Sequence, residues 1–165
     1  MPWKVLYVAS RSEKKVNQRL QELGLESYVP LKTEKKQWSD RIKTVVSPLI
    51  SGYVFAKVND ATREEVFKVN GVINYVRYNG GDAVVREQEI VALKSIEEKG
   101  YYIEGSFSEE WKTGDKVLIQ YGPFKGLYGA IQSEAHEDVF KIAIEDIGYI
   151  LTIKVPKEVL VKHKS

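Results

Sequence analysis

The 165-residue sequence predicts an α+β protein of two domains, an α/β sandwich followed by a small closed β-barrel. Three observations predict it. Strand and helix patterns alternate over residues 1–99, Gly, Ser and Glu interrupt them over 100–112, and only short β patterns follow over 113–165.

Trp3 to Ala9 carries large apolar residues on both parities, the mark of a central strand covered on both faces. Ser12 is placed to cap a helix whose Val16, Leu20 and Leu23 recur at helical spacing until Gly24 stops it. Leu25 to Leu31 reads as a second strand, Lys32 to Thr44 as a polar excursion, and Ser51 to Val58 as the strongest strand signal in the chain. A short helix over Ala61–Lys68, a strand over Val72–Arg77, a turn at Asn79-Gly80-Gly81 and a helix over Glu87–Glu98 follow. This order fits the split βαβ, ferredoxin-like sandwich. Beyond the linker, strands are expected near 115–120, 127–133, 139–144, 149–155 and 159–162. Closing them into a barrel removes the edges that such short strands expose.

Composition narrows the function. Apolar residues make up 43% and charged residues 29%, enough to fill a core and too mixed for disorder. Cysteine is absent, which removes disulfides, iron–sulfur clusters, thiolate zinc sites and cysteine nucleophiles. With His136 and His163 the only histidines, metal sites and serine–histidine catalysis are poorly supplied. Neighbouring carboxylates such as Glu64/Glu65 and Glu97/Glu98 point apart on their helices, and no phosphate loop, His-Glu-x-x-His or nucleophile elbow appears. A non-enzyme without cofactor is expected. No apolar run approaches bilayer length, so a cytoplasmic protein without membrane contact is expected.

The net charge of +2 conceals a division. Residues 1–99 hold 17 basic against 13 acidic residues, and residues 100–165 hold 8 against 10. Within the first part, residues 1–43 alone carry 10 basic against 5 acidic. A polyanion meets this end first.

In the second domain, Gly114-Asp115-Lys116-Val117-Leu118-Ile119, Gly122-Pro123-Phe124-Lys125-Gly126-Leu127 and Gly129-Ala130-Ile131 resemble the KOW motif of NusG-type transcription factors and several ribosomal proteins. Gly122-Pro123 supplies a tight turn, and Gly126 and Gly129 permit close approach, so Gly114, Asp115, Gly122, Pro123, Gly126 and Gly129 speak mainly for structure. The resemblance implies an SH3-like barrel.

The first domain resembles the N-terminal (NGN) domain of the NusG family. The resemblance is carried by Trp3–Tyr7, Ser10–Val16, Tyr28-Val29-Pro30, Trp38-Ser39-Asp40-Arg41, Pro48-Leu49, Gly52-Tyr53-Val54-Phe55 and Gly71-Val72. NGN and KOW motifs in this order cover nearly the whole chain, giving an NGN domain over 1–99, a linker over 100–112 and a KOW domain over 113–165. The Trp-Ser-Asp-Arg segment and the compact length look closest to specialised paralogues of the UpxY and RfaH kind.

That resemblance implies a transcription antitermination factor that rides on RNA polymerase. Its apolar face for the clamp helices of the β′ subunit falls on Tyr7, Tyr53 and Phe55, with Val72 and Val76 as neighbours. Period-two alternation places Tyr53 and Phe55 on one face of their strand and Val54, Ala56 and Val58 on the other. A basic constellation of Arg11, Lys14, Lys15, Gln18 and Arg19 on the first helix, with Lys35, Lys36, Trp38 and Arg41 in the excursion, suits phosphates and an unstacked base. In RfaH-like relatives this region reads the non-template DNA strand. Thr62-Arg63-Glu64 matches in position the segment that touches the β-subunit gate loop, but departs from the RfaH-type His-Thr-Thr-Thr pattern.

The KOW barrel is expected to serve another partner, as in relatives that contact a small-subunit ribosomal protein or the termination factor Rho. Two other readings stand beside this one: a housekeeping NusG that also promotes Rho-dependent termination, and a ribosome-associated KOW protein that binds RNA. A barrel that refolds into a helical hairpin, as in RfaH, is disfavoured by the turn-rich pattern after residue 113.

Overall fold

The computed structural model describes residues 2–99, 102–107, 117–118, 128–133, 137–144 and 149–156. The described chain is a mixed α/β structure, mostly strands with a few helices. It divides into two compact units, Met1–Val85 and Arg86–Ser165.

The first unit is built on β1 (Trp3–Val8), which is central because both of its parities are apolar. Helix α1 (Glu13–Glu22) follows, then β2 (Glu26–Tyr28). A freestanding hairpin of β3 (Leu31–Gln37) and β4 (Ile42–Pro48) precedes β5 (Tyr53–Lys57). A 3-10 helix (Arg63–Lys68) leads to β6 (Val72–Tyr75). A small hairpin of β7 (Arg77–Tyr78) and β8 (Gly81–Asp82) and a return strand β9 (Val84–Val85) complete the unit.

The main sheet runs β2-β5-β1-β6, with β9 also paired to β1. Both β1 and β2 are antiparallel to β5, which lies between them, so β1 and β2 are parallel and joined through α1. That is the split βαβ connection expected from the sequence. On the α1 side, Leu6, Val8, Val54, Ala56 and Val58 pack with Val16 and Leu20 of the helix and with Val66, Val69 and Tyr75. At about 25 cal/mol per Å² of apolar surface, fully burying each of the valines and leucines contributes roughly 1.5–3 kcal/mol, offset largely by lost chain entropy.

Several local expectations are refined. Ser12 stands at the N-cap position of α1 but makes no side-chain cap bond; its carbonyl accepts from the Val16 N–H (2.8 Å). Gly24 ends the helix at φ +85°, as its position predicts. The strand expected over 25–31 breaks at Val29-Pro30, where proline has no N–H for the ladder. The polar excursion is not irregular: β3 and β4 pair from Leu31↔Pro48 to Gln37↔Ile42. Polar and charged residues on both exposed faces leave no apolar alternation to mark it as paired strands. Asn79 (φ +49°) and Gly80 (φ +79°) form the two-residue turn between β7 and β8, with the left-handed pair that matches strand twist.

In the second unit, α2 (Glu87–Lys99) buries Ile90, Ala92, Leu93 and Ile96. Its strands are β10 (Tyr102–Phe107), β11 (Val117–Leu118), β12 (Tyr128–Ser133), β13 (Glu137–Ile144) and β14 (Tyr149–Pro156). They form one antiparallel sheet in the order β10-β14-β13-β12-β11. Thus Tyr102–Phe107, inside the segment expected to be a linker, pairs with Tyr149–Lys154. Phe107 meets Tyr149 edge-on, with ring centroids 4.9 Å apart, and burial pushes the Tyr149 phenol pKa up. Gly114, Asp115, Gly122, Pro123, Gly126 and the strand expected at 159–162 lie outside the described residues; Gly129 lies in β12 opposite Val117 and Ile142.

Candidate functional site

Two neighbourhoods of the first unit gather the residues singled out by sequence. The first is aromatic. Register sets Tyr7 of β1 opposite Tyr53 of β5 on one side and Asn74 of β6 on the other, all on the face turned away from α1. The two tyrosine rings meet edge-on at 5.0 Å, and the Tyr53 hydroxyl donates to the Tyr7 hydroxyl at 3.2 Å. Burial, helped by that hydrogen bond, raises the Tyr53 pKa and keeps the phenol neutral. Tyr7 remains 42% exposed and Tyr53 only 8%.

A bulge shifts the β1–β6 register between Tyr7 and Val8, so Ile73 is the extra residue of β6, between Val72 and Asn74, and is 64% exposed. Sequence reasoning misses Ile73, because period two cannot register an unpaired residue. Phe55 and Val76, by contrast, are buried at 0% and 4% exposure. The expectation that they touch a partner directly does not fit side chains without accessible surface. Phe55 shares its face with Tyr53, but it packs near Tyr28, with centroids 6.5 Å apart. Val72 is half-buried against the α1-side core.

The second neighbourhood is basic. Arg11, Lys14, Lys15, Gln18 and Arg19 are exposed on and before α1. The Lys14 ammonium donates to the Val46 carbonyl (3.1 Å), tying the helix to β4. A groove of about 470 Å³ opens there, lined by Arg11, Glu13, Lys14, Lys15, Val46, Ser47, Pro48 and Ser51. Its buried member, Glu13, accepts from the Gly52 N–H at 2.9 Å and so fastens the first turn of α1 to the start of β5. Arg19 lies further along the helix and donates to the Asn70 carbonyl (2.9 Å), while Gln18 bonds Glu22 (3.3 Å). A guanidinium has five donors, so Arg19 keeps capacity for an anion. Arg19 also lines a second groove of about 340 Å³ with Glu22, Leu23, Lys68, Val69 and Asn70.

The hairpin carries the remaining cations. Lys35, Lys36, Trp38 and Arg41 are all exposed, and the Lys43 ammonium sits 4.5 Å from the centre of the Trp38 ring.

Thr62, Arg63 and Glu64 form no such open group. Thr62 is locked to Asn59 by reciprocal bonds, its N–H donating to Asn59 Oδ1 (2.9 Å) and its Oγ1 accepting from the Asn59 N–H (3.0 Å). Arg63 makes a forked pair with Asp82 (2.8 and 2.9 Å) and lies 4.4 Å over the Tyr75 ring. The Tyr75 hydroxyl donates to the Arg63 carbonyl (2.7 Å), and burial pushes its pKa up to about 12. The hydrogen bonds from Arg63, then Arg77, hold the Asp82 carboxyl at about 2 against the opposing effect of burial. Arg63 is accordingly committed to its own fold, and only Glu64 of the three is exposed.

The exposed Tyr7 and Ile73 and the basic residues of α1 and the hairpin are all carried by one small α/β unit. Residues 1–100 match the NusG family, described as transcription termination factor nusG. The match spans more than half of the sequence, and the chain belongs to the NusG family of transcription factors. Among solved structures, NusG of Thermotoga maritima, from work on its domain interaction, is 21% identical over 94% of this chain and 92% of its own, with a TM-score of 0.49. No curated protein matches the chain. Among the described residues, no helix is long and apolar enough to cross a membrane.

Proposed function

We propose that this chain is a cytoplasmic transcription elongation and antitermination factor that docks on the β′ clamp helices of RNA polymerase and holds the non-template DNA strand. The observation that carries this reading is the exposed Tyr7, backed by Tyr53, with the exposed Ile73 on the neighbouring strand, on the sheet of a NusG-family domain. Apolar side chains left open on a folded sheet are best explained by a partner, and a pair of helices presents a matching apolar surface. The clamp contact narrows to Tyr7, Tyr53 and Ile73; Phe55 and Val76 are buried, and Val72 packs on the α1 side of the sheet.

Arg11, Lys14, Lys15, Gln18 and Arg19 with Lys35, Lys36, Trp38 and Arg41 form the nucleic-acid side. Both faces engaged together tether exposed DNA to the clamp and oppose pausing. The antiparallel sheet of the second unit, which carries the KOW-like motif residues Val117, Leu118 and Gly129, is read as the domain that serves a further partner, a small-subunit ribosomal protein or Rho, and the Trp38-Ser39-Asp40-Arg41 segment favours an operon-specific paralogue.

The test is polymerase binding by the full chain. Tyr7→Ala with Ile73→Ser is expected to weaken it at least tenfold, because exposed aromatic anchors dominate such interfaces. Unchanged affinity in a variant that still unfolds cooperatively would exclude the clamp reading. The family description also favours a termination role. Greater read-through of a Rho-dependent terminator when the factor is removed supports that second reading; reduced read-through supports antitermination.

A further inference from the structure

We propose that the tip of the β3–β4 hairpin is a clamp for one nucleotide step of a single-stranded nucleic acid. Lys36 and Lys43 straddle a phosphodiester, and the open surface of Trp38 stacks the adjoining base. The proposal rests on the nucleic-acid half of the preceding reading and gives that half a specific ligand.

Register supplies the first argument. Lys36 and Lys43 are direct cross-strand partners and therefore share a face of the ribbon. Trp38 lies two residues beyond Lys36, and Arg41 two before Lys43. Trp38 and Arg41 close the turn on each other, the Trp38 N–H donating to the Arg41 carbonyl (2.7 Å) and the Arg41 N–H to the Trp38 carbonyl (3.3 Å). Three cations and one indole therefore crowd a single face at the tip. Glu34, the carboxylate on that face, is held by Lys32 (3.1 Å), and Asp40 in the turn is the one acid between Lys36 and Lys43.

Electrostatics supplies the second. Like charges directly opposite on paired strands destabilise the ribbon. Each lysine keeps rotatable ammonium donors, so one phosphodiester placed between them relieves the repulsion and gains charge-assisted hydrogen bonds. Burial does not explain the arrangement, since residues 33–44 are exposed on both faces of the hairpin.

The indole decides what kind of nucleic acid. Lys43 covers one face of Trp38 and steadies the ring, which nevertheless stays 47% exposed. A base inside a duplex has both faces occupied by its neighbours, whereas an unpaired base is free to stack. The tip accordingly fits a single strand and is sequence-tolerant, because every base offers a π-face.

The experiment measures anisotropy of fluorescein-labelled oligo(dT), oligo(rU) and a duplex with the full chain across a salt series, with inorganic polyphosphate as a base-free competitor. Trp38→Ala is expected to lose roughly tenfold affinity for the single strands and to leave polyphosphate binding unchanged. Lys36→Gln with Lys43→Gln is expected to lower the slope of log K against log salt by about 0.7, the release for one shared phosphate on a single strand. Lys43→Arg retains both the charge and the stacked cation and should bind like the unaltered chain. A Trp38→Ala variant within twofold of the unaltered chain, an unaltered salt slope, or equal Trp38 dependence on the duplex overturns the clamp. If Lys15→Ala with Arg19→Ala abolishes oligonucleotide binding while the hairpin variants leave it intact, the clamp alone fails. If the unaltered chain binds no oligonucleotide, the nucleic-acid reading fails with it. Tighter binding of oligo(dT) than oligo(rU) assigns the site to DNA, and the reverse to RNA.

Discussion

Asp82→Asn removes the charge on which the Arg63 and Arg77 guanidinium groups converge. The carboxyl is held at about 2 against an ordinary 3.8, and its side chain is only 9% exposed. At about 1.4 kcal/mol per tenfold in proton affinity, that difference corresponds to roughly 2 kcal/mol of stability at neutral pH. Most of it belongs to the forked Arg63 pair, because Arg77 is 57% exposed against 31% for Arg63 and is better screened. A depressed folded-state pKa gives stability that is complete above about pH 4 and lost as pH falls through about 2.

The variant should therefore unfold about 2 kcal/mol more easily at pH 7. The gap should narrow below about pH 4 and close near pH 2. Urea titrations at several pH values, read from the buried Trp3, measure it. A destabilisation that stays constant from neutral pH down to about pH 2 would refute the ion-pair account and assign the loss to packing. The outcome also bears on Arg63, whose guanidinium is engaged by Asp82 and Tyr75 within its own domain.

Two further outcomes follow from the geometry. Gly71 has φ +107°, and a Cβ there would lie 2.9 Å from Val16 Cγ2, so Gly71→Ala should destabilise the first unit by at least about 1 kcal/mol and lower its thermal midpoint by several degrees; an unchanged midpoint would mean that α1 shifts freely. Lys15→Ala with Arg19→Ala should flatten the salt dependence of oligonucleotide binding by up to about 1.4 in slope, about 0.7 for each phosphate released; an unaltered slope would make these cations solvated surface.

Much of the site is legible in the amino-acid sequence. Tyr7 and Tyr53 are singled out by the family resemblance, and the basic helix by Lys15 and Arg19 standing four apart opposite Val16 and Leu20. The departures have specific causes. Alternation names the face on which Phe55 lies, yet whether that face is open depends on residues far away in sequence. Arg63 reads as a candidate contact because its partner, Asp82, comes 19 residues later. Ile73 escapes because a bulge breaks the period on which the reading depends. The β3–β4 hairpin reads as an excursion because both of its faces are exposed and lack apolar alternation.

The order of strands and helices, the basic bias of residues 1–43 and the membership of the NusG family are all written in the chain itself. These are local or additive properties: side-chain periodicity, turn chemistry, charge and motif order survive without three-dimensional context. Which side chains are available to a partner is settled by assembly of the sheet. Burial of Phe55, commitment of Arg63, exposure of Ile73 and the opposition of Lys36 to Lys43 each arise from pairings between separate segments. No local pattern encodes which neighbour a side chain will meet once those segments come together.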